Sequence, residues 1–202
     1  MSHPFKHLRV ILKHRHQVIR NGWHLGIFWH CLKHDLSKFG RTEFKVGSTY
    51  YVGTHSPIYE ERLRNGYYST ACQHHTRRNK HHWEYWTDFF KGRIIAKNMP
   101  YKYALEYVAD TLSASKTYDP KNFKGSTTLE YFNRNSEHYY LTDTTEEFIR
   151  YCLTEYAQNG WKNLKKKNTK KVYKEIEAKY PKTKVFDTMK ALGDLPLLKE
   201  GI

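Results

Sequence analysis

Apolar residues recur at helical spacing along most of the chain. Phe5, Leu8, Ile11, Leu12, Val18 and Ile19 define one face of a helix from Pro4 to Ile19, with Asn21-Gly22 as its stop. Past Gly26, the run Ile27, Phe28, Cys31, Leu32, Asp35 and Phe39 repeats the i, i+3/i+4 pattern as far as Gly40, so the second helix carries the adjacent pair His34-Asp35. Thr42-Glu43-Phe44 opens a weaker segment, and Gly47, Gly53 and Pro57 limit it to short helices. Ser56-Pro57-Ile58-Tyr59-Glu60 joins a capping residue, proline at the first helical position and acid in the first turn, and Asn65-Gly66 closes that segment. A longer helical region is predicted from Tyr67 to Phe90. Another, with the face Tyr103, Leu105, Val108, Ala109 and Leu112, runs from Met99-Pro100 until Asp119-Pro120 breaks it. Thr127 to Tyr140 and Thr144 to Gln158 complete the series, and no period-2 run of convincing length interrupts it. The predicted class is all-α, a helical bundle over residues 1–161 with a Lys-rich helical extension, 162–202. Val172, Tyr173, Ile176, Tyr180, Val185, Phe186, Leu192, Leu195 and Leu197 give that extension apolar residues with which to pack on the bundle.

Composition narrows the class. A chain of 202 residues buries roughly 70% of the surface its unfolded form exposes. Three cysteines at unrelated spacings form neither a disulfide framework nor a CxxC knuckle, and basic residues interrupt every apolar run before it reaches the length of an export signal. No window holds about 18 consecutive apolar residues, and mean hydropathy is −0.86. The expectation is a cytoplasmic protein without membrane contact. Five Trp, 17 Tyr and 10 Phe put rings into the core. The formal charge of +15, with 12 Lys against five acids in residues 162–202, suits an anionic partner, either a small phosphorylated molecule or nucleic acid.

The 13 histidines carry more information because they cluster. His7 and His14 share a face of the first helix. In an antiparallel hairpin turning near Trp23-His24, His14 lies level with His34 and His7 about 10 Å further off. His14 is therefore the expected partner of His34, with His7 as rival. Within His74-His75-Thr76-Arg77-Arg78-Asn79-Lys80-His81-His82, one histidine of each doublet faces inward on a continuous helix: His75 and His82, with His74 and His81 as rivals. Asp110 lies on an otherwise apolar stretch, where a carboxylate needs a cation or a hydrogen bond. Imidazole and carboxylate together suit Mn, Fe, Co, Ni or Zn, as one divalent metal or as a pair sharing Asp35.

The order His14, His34-Asp35, His75/His82, Asp110 resembles the signature of the HD-domain superfamily, all-α metal-dependent phosphohydrolases. The strings HLRVILKH, GIFWHCLKHDLSKFGRTEF, GY…HHTRRNKHHWEYW and MPYKYALEYVADTLSASK are similar, over about residues 3–118, to a family of uncharacterised bacterial and phage proteins. The superfamily resemblance implies His14, His34, Asp35 and Asp110 as metal ligands and His75 and His82 as those of a second metal. It implies hydrolysis of a nucleotide or other small phosphoester, with Asp35 and Lys38 at the reaction centre. Lys38, Arg77, Arg78 and Lys80 are the candidate phosphate contacts, although the basic run around Arg77-Arg78-Asn79 matches no named branch. Glu84 is a candidate general base, and Trp83, Tyr85 and Trp86 either stack a nucleobase or sit in the core. Two other readings stay open: an oxygenase of HD type with two irons, and a non-catalytic binder of nucleotide or nucleic acid.

Overall fold

The structure is a computed structural model and describes residues 2–187; Leu192, Leu195 and Leu197 of the expected tail face lie outside them. In chain order the elements are α1 (Pro4–His24), α2 (Phe28–Cys31), α3 (Arg41–Thr49), α4 (Pro57–Arg64), α5 (Thr70–Thr76), β1 (Thr87–Phe90), β2 (Arg93–Lys97), α6 (Tyr101–Tyr118), α7 (Thr127–Asn135), α8 (Asp143–Asn159), α9 (Lys166–Glu177) and β3 (Thr183–Asp187). The class is all-α, with one small sheet added.

Helix α6 forms the axis. It buries Ala104, Leu105, Val108, Ala109 and Leu112, and small residues at 104 and 109 let its neighbours come close. On one side it meets α1 through Val18. On the other it meets α8, which buries Phe148, Ile149, Cys152 and Leu153. Helix α9 closes this layer by burying Thr169, Tyr173 and Ile176 at i, i+4 and i+7, while the Tyr173 hydroxyl donates to the Met99 carbonyl at 2.7 Å. Strand β3 pairs antiparallel with β2, Val185 opposite Ile95, so the C-terminal segment is hydrogen-bonded to the middle of the chain.

Four expected elements differ. The second helix covers only Phe28–Cys31. The chain then turns, held by the Arg15 guanidinium on the carbonyls of Leu32 (3.1 Å) and His34, and Asp35 takes a left-handed conformation with φ 51°. A 3₁₀ turn over Leu36–Phe39 follows. The stretch 67–90 is likewise not continuous. Helix α5 ends at Thr76, a loop carries Arg77 to His82, and Trp83–Trp86 form a 3₁₀ turn before β1. The three-stranded sheet, order β1-β2-β3, escaped notice because its strands have four or five residues and show no alternation. Its hairpin turns on Lys91-Gly92, both at positive φ (49° and 72°), as a two-residue type I′ turn requires. Finally, the helix from Thr127 stops at Asn135 and gives way to a 3₁₀ turn over Ser136–His138.

Gly22 shows how tightly α1 meets the turn. A Cβ there would lie 2.5 Å from the Cys31 sulfur and 2.8 Å from its Cβ. Gly22→Ala gains up to about 1 kcal/mol of helix propensity but overpacks a buried contact at about 1–3 kcal/mol. The expected outcome is a net loss, read as a lower urea midpoint, and Cys31→Ala in the same chain restores only the part due to the sulfur, because the 2.8 Å contact with the residue 31 Cβ remains. An unchanged midpoint for Gly22→Ala alone would show that Cys31 moves freely.

Candidate metal centre

Five segments converge on one buried point. Helix α1 supplies His14, the turn after α2 supplies His34 and Asp35, α5 supplies His75, the loop after it His81 and His82, and α6 Asp110. His34, Asp35 and His81 are each 1% exposed. Three groups of potential ligand atoms each lie within 4.8 Å of one another: His14, His34, Asp35 and Asp110; Asp35, His75, His81 and His82; and His34, His81 and Glu106. Asp35 belongs to the first two, one oxygen toward each. Its Oδ2 is 3.2 Å from His34 Nε2, and its Oδ1 is 3.4 Å from His75 Nε2 and 3.5 Å from His81 Nε2. In the first group His34 Nε2 is also 3.3 Å from Asp110 Oδ1, which lies 2.8 Å from His14 Nε2.

These close approaches are not aligned hydrogen bonds. His14 Nε2, His34 Nε2, His81 Nε2, His82 Nε2 and both Asp35 oxygens are buried without a hydrogen-bond partner, although the Lys38 ammonium comes to 2.6 Å of Asp35 Oδ2. Six orphaned atoms in one place is far from the usual state of buried polar groups. Imidazole lone pairs facing carboxylate oxygens repel unless positive charge lies between them. Asp35, Asp110, Glu106 and Glu43 bring four carboxylates and Lys38 one ammonium, and a divalent cation restores that balance without distorting the cluster. The residues fit a metal, and the mixed imidazole and carboxylate set suits a first-row divalent ion.

Two further carboxylates orient the histidines. Glu106, one turn before Asp110 on α6, accepts from His30 Nε2 at 2.6 Å and His34 Nδ1 at 3.0 Å, and lies 3.4 Å from His81 Nδ1. Glu43 on α3 accepts from His75 Nδ1 at 2.8 Å and His74 Nδ1 at 2.6 Å. With Nδ1–H given to a carboxylate, each ring turns its Nε2 lone pair to the centre, the arrangement expected behind metal-bound histidine. The electrostatics agree. Burial would raise the Glu106 carboxyl, but the hydrogen bonds from His30, His34 and His81 hold it far below its ordinary value. Burial likewise opposes ionisation of Asp35, and the charges of His34 and Lys38 outweigh it. Burial would lower His34, yet with no metal bound Asp35, Asp110 and Glu106 raise it, so proton and metal compete for its Nε2, whereas burial and the neighbouring His81 and His75 push His82 well down.

Beside the cluster opens a cavity of about 190 Å³, lined by Lys38, His14, His75, His82 and Asp110 and by the apolar Val10, Ile11, Pro57 and Ile58 among others. The metal candidates His14, His34, Asp35, His75, His82 and Asp110 are all brought together. Of their rivals, His81 joins them, because no helix runs from 74 to 82 to force a choice between doublet members. His7 lines the far end of the cavity, its ring tilted against Phe44, and His74 turns to Glu43; neither enters a ligand group. The expected phosphate contacts separate. Lys38 lines the cavity, Arg77 opens into a different groove, and Arg78 and Lys80 are exposed outside both, with the Lys80 ammonium 5.4 Å from the Tyr85 ring centre. Glu84 is also on the groove side, 3.9 Å from His82 Nδ1, so it does not face the cavity as a general base would. Trp83 stacks on Tyr139, and Trp86 packs against the core beside Tyr103. Glu106, Glu43 and His30 escaped the sequence reading. Glu106 carried one usable signal, its four-residue spacing before Asp110 on an apolar helix.

Fold and site together define an all-α protein with a buried histidine–carboxylate cluster able to hold metal. The chain belongs to the family of unknown function DUF5662, whose family model matches residues 3–155 and so includes every cluster residue. No curated protein and no solved structure matches it.

Removing an orienting carboxylate should weaken metal binding by about 10- to 100-fold. Glu106→Gln is expected to do so in a competition titration with a chelating dye, while Arg78→Gln leaves affinity unchanged; equal affinities would sink the assignment. The depressed carboxylates Asp35, Asp110 and Glu106 contribute stability that is complete above the ordinary carboxylate range and lost progressively as pH falls from that range toward their depressed folded values. Denaturant midpoints of the metal-free chain should therefore decline below about pH 4, less so in Glu106→Gln than in the parent chain.

Proposed function

We propose that this protein is a metal-dependent phosphohydrolase acting on a nucleotide or other small phosphoester, on a bundle of HD-domain type. The observation that carries the reading is Asp35, whose two oxygens serve two ligand groups beside a cavity that is also lined by the Lys38 ammonium, paired with Asp35 at 2.6 Å. The order of His14, His34-Asp35 and Asp110 along the chain supports the superfamily resemblance. When bound, the divalent ions supply Lewis acidity and a water of lowered pKa. The chain's own groups do the rest. Asp35 stays ionised between His34 and Lys38. Burial would lower the Lys38 ammonium, but Asp35 and Asp110 raise it above its usual range, so it is charged at neutral pH and offers its remaining donors to a phosphate oxygen. The apolar residues lining the cavity lower the local dielectric, which strengthens that contact.

The test loads the purified chain with Mn, Co or Zn in turn and measures phosphate release from p-nitrophenyl phosphate, bis-p-nitrophenyl phosphate and nucleoside monophosphates. Asp35→Ala is expected to lose metal and turnover together. Lys38→Met is expected to keep its metal and lose about 100-fold in kcat/KM. Full activity in Asp35→Ala overturns the proposal. Two irons per chain with oxygen uptake and no phosphate release would replace it with the oxygenase reading, for which the same shared carboxylate is suited.

A further inference from the structure

Helix α5 is a wall with two faces. Ala71 and His75 look into the cavity beside the candidate metal cluster, while Cys72, Gln73 and Thr76 look the other way, into a separate groove of about 730 Å³. That volume is within the range of sites that enclose sizeable ligands. Two guanidiniums line the groove, Arg62 from α4 and Arg77 from the end of α5, and so do four rings from three segments: Tyr67, Tyr68, Tyr85 and Phe89. The rings are not core residues. Tyr67 is 78% exposed, Tyr68 54% and Phe89 67%.

Tyr67 adds a second observation. It follows Gly66 at the end of α4, and both residues are left-handed, Gly66 at φ 58° and Tyr67 at φ 64°. For a bulky residue this conformation is an outlier; the Tyr67 N–H, donating to the Arg62 carbonyl at 2.7 Å, closes the end of α4 and sets it, and leaves the ring standing in solvent at the groove. The groove thus offers flat apolar faces and two cationic forks, with the carboxylates of Glu84 and Asp88 also in its lining. Bases and phosphates are the groups complementary to the rings and the guanidiniums.

We propose that this groove binds a short segment of single-stranded nucleic acid, its bases stacked on Tyr67, Tyr85 and their neighbours and its phosphates held by Arg62 and Arg77. A strand fits better than one nucleotide because the guanidiniums arise from different helices and the rings from α4's end, the 3₁₀ turn and β1, so more than one base and one phosphate are addressed. The site shares no lining residue with the metal cluster, although Thr76 adjoins His75 in the chain and Glu84 Oε2 lies 3.9 Å from His82 Nδ1. It therefore stands or falls independently of the phosphohydrolase reading.

The experiment measures fluorescence anisotropy of fluorescein-labelled dT10 and U10 with the full chain as purified, across a salt series. Saturable binding is expected, with two phosphate contacts accounting for about −1.4 of the log–log salt slope and Arg77→Gln removing about 0.7 of it. Tyr67→Gly is expected to weaken binding by about 5- to 150-fold. Its unfolding midpoint should hold or rise, since glycine accepts the left-handed backbone without strain. The double variant Lys170→Gln/Lys171→Gln on α9 should bind like the parent. Absence of saturable binding, unchanged affinity in both Tyr67→Gly and Arg77→Gln, a greater loss in the α9 variant, or TMP and UMP binding as tightly as the decamers would each overturn the proposal.

Discussion

A carboxylate at the centre of a protein has to be matched by positive charge, and the arrangement around Asp35 follows from that requirement. Its side chain is inside the bundle because its backbone is left-handed, and its backbone is left-handed because α2 stops after one turn and Arg15 from α1 ties down the carbonyls of Leu32 and His34. Had the helix continued, as the apolar spacing suggested, His34 and Asp35 would project about 100° apart and could not both approach Asp110. The turn places one Asp35 oxygen toward α1 and α6 and the other toward α5. Aspartate tolerates this conformation better than most residues, so the local backbone and the demand for a carboxylate at this point agree.

Around that centre, rigidity comes from the groups that orient the ligands. Glu106 on α6 holds His34 by Nδ1 and His30 by Nε2, and Glu43 on α3 holds His75 and His74 by Nδ1. Glu106 and Asp110 are one turn apart, so a single helix face carries both an orienting group and a ligand, and packing of Ala104, Leu105, Val108 and Ala109 keeps that face registered against α1. The core of small and branched residues is in this sense the support of the site. A shift of α6 along α1 would displace His34, His81 and Asp110 together.

The sequence made much of this readable and concealed the rest for identifiable reasons. Helices α1, α6 and α8 were legible because each presents a long apolar stripe, and the level pairing of His14 with His34 followed from counting residues from the hairpin turn. Asp110 was legible because a lone acid on an apolar face demands a partner. The histidine doublets were not. Seven-residue spacing is informative only on an unbroken helix, and here the chain leaves α5 at Thr76 and returns His81 and His82 from a loop, so both members of the second doublet point inward. The strands were hidden by length: TDFF and RIIAK are too short to show alternation, and β2 finds its second partner, β3, about 90 residues later. Glu43 fell in a stretch punctuated by glycines where periodicity carries no signal.

Charge was the most prominent feature of the composition and proves to be three things in three places. On α9 the lysines at 165–167, 170, 171 and 174 surround a single buried stripe of Thr169, Tyr173 and Ile176, which is how an amphipathic surface helix normally stays soluble. At the cluster, Lys38 offsets buried carboxylates, and its charge is spent inside the protein unless an anionic ligand shares it. Along the groove lined by residues between Arg62 and Ile94 the guanidiniums of Arg62 and Arg77 stand among exposed rings. This third setting combines paired cations, exposed aromatic faces and open space. Net charge alone therefore says little about a partner; what distinguishes a recognition surface from a solvated one is whether the charges share a concavity with groups that water serves poorly.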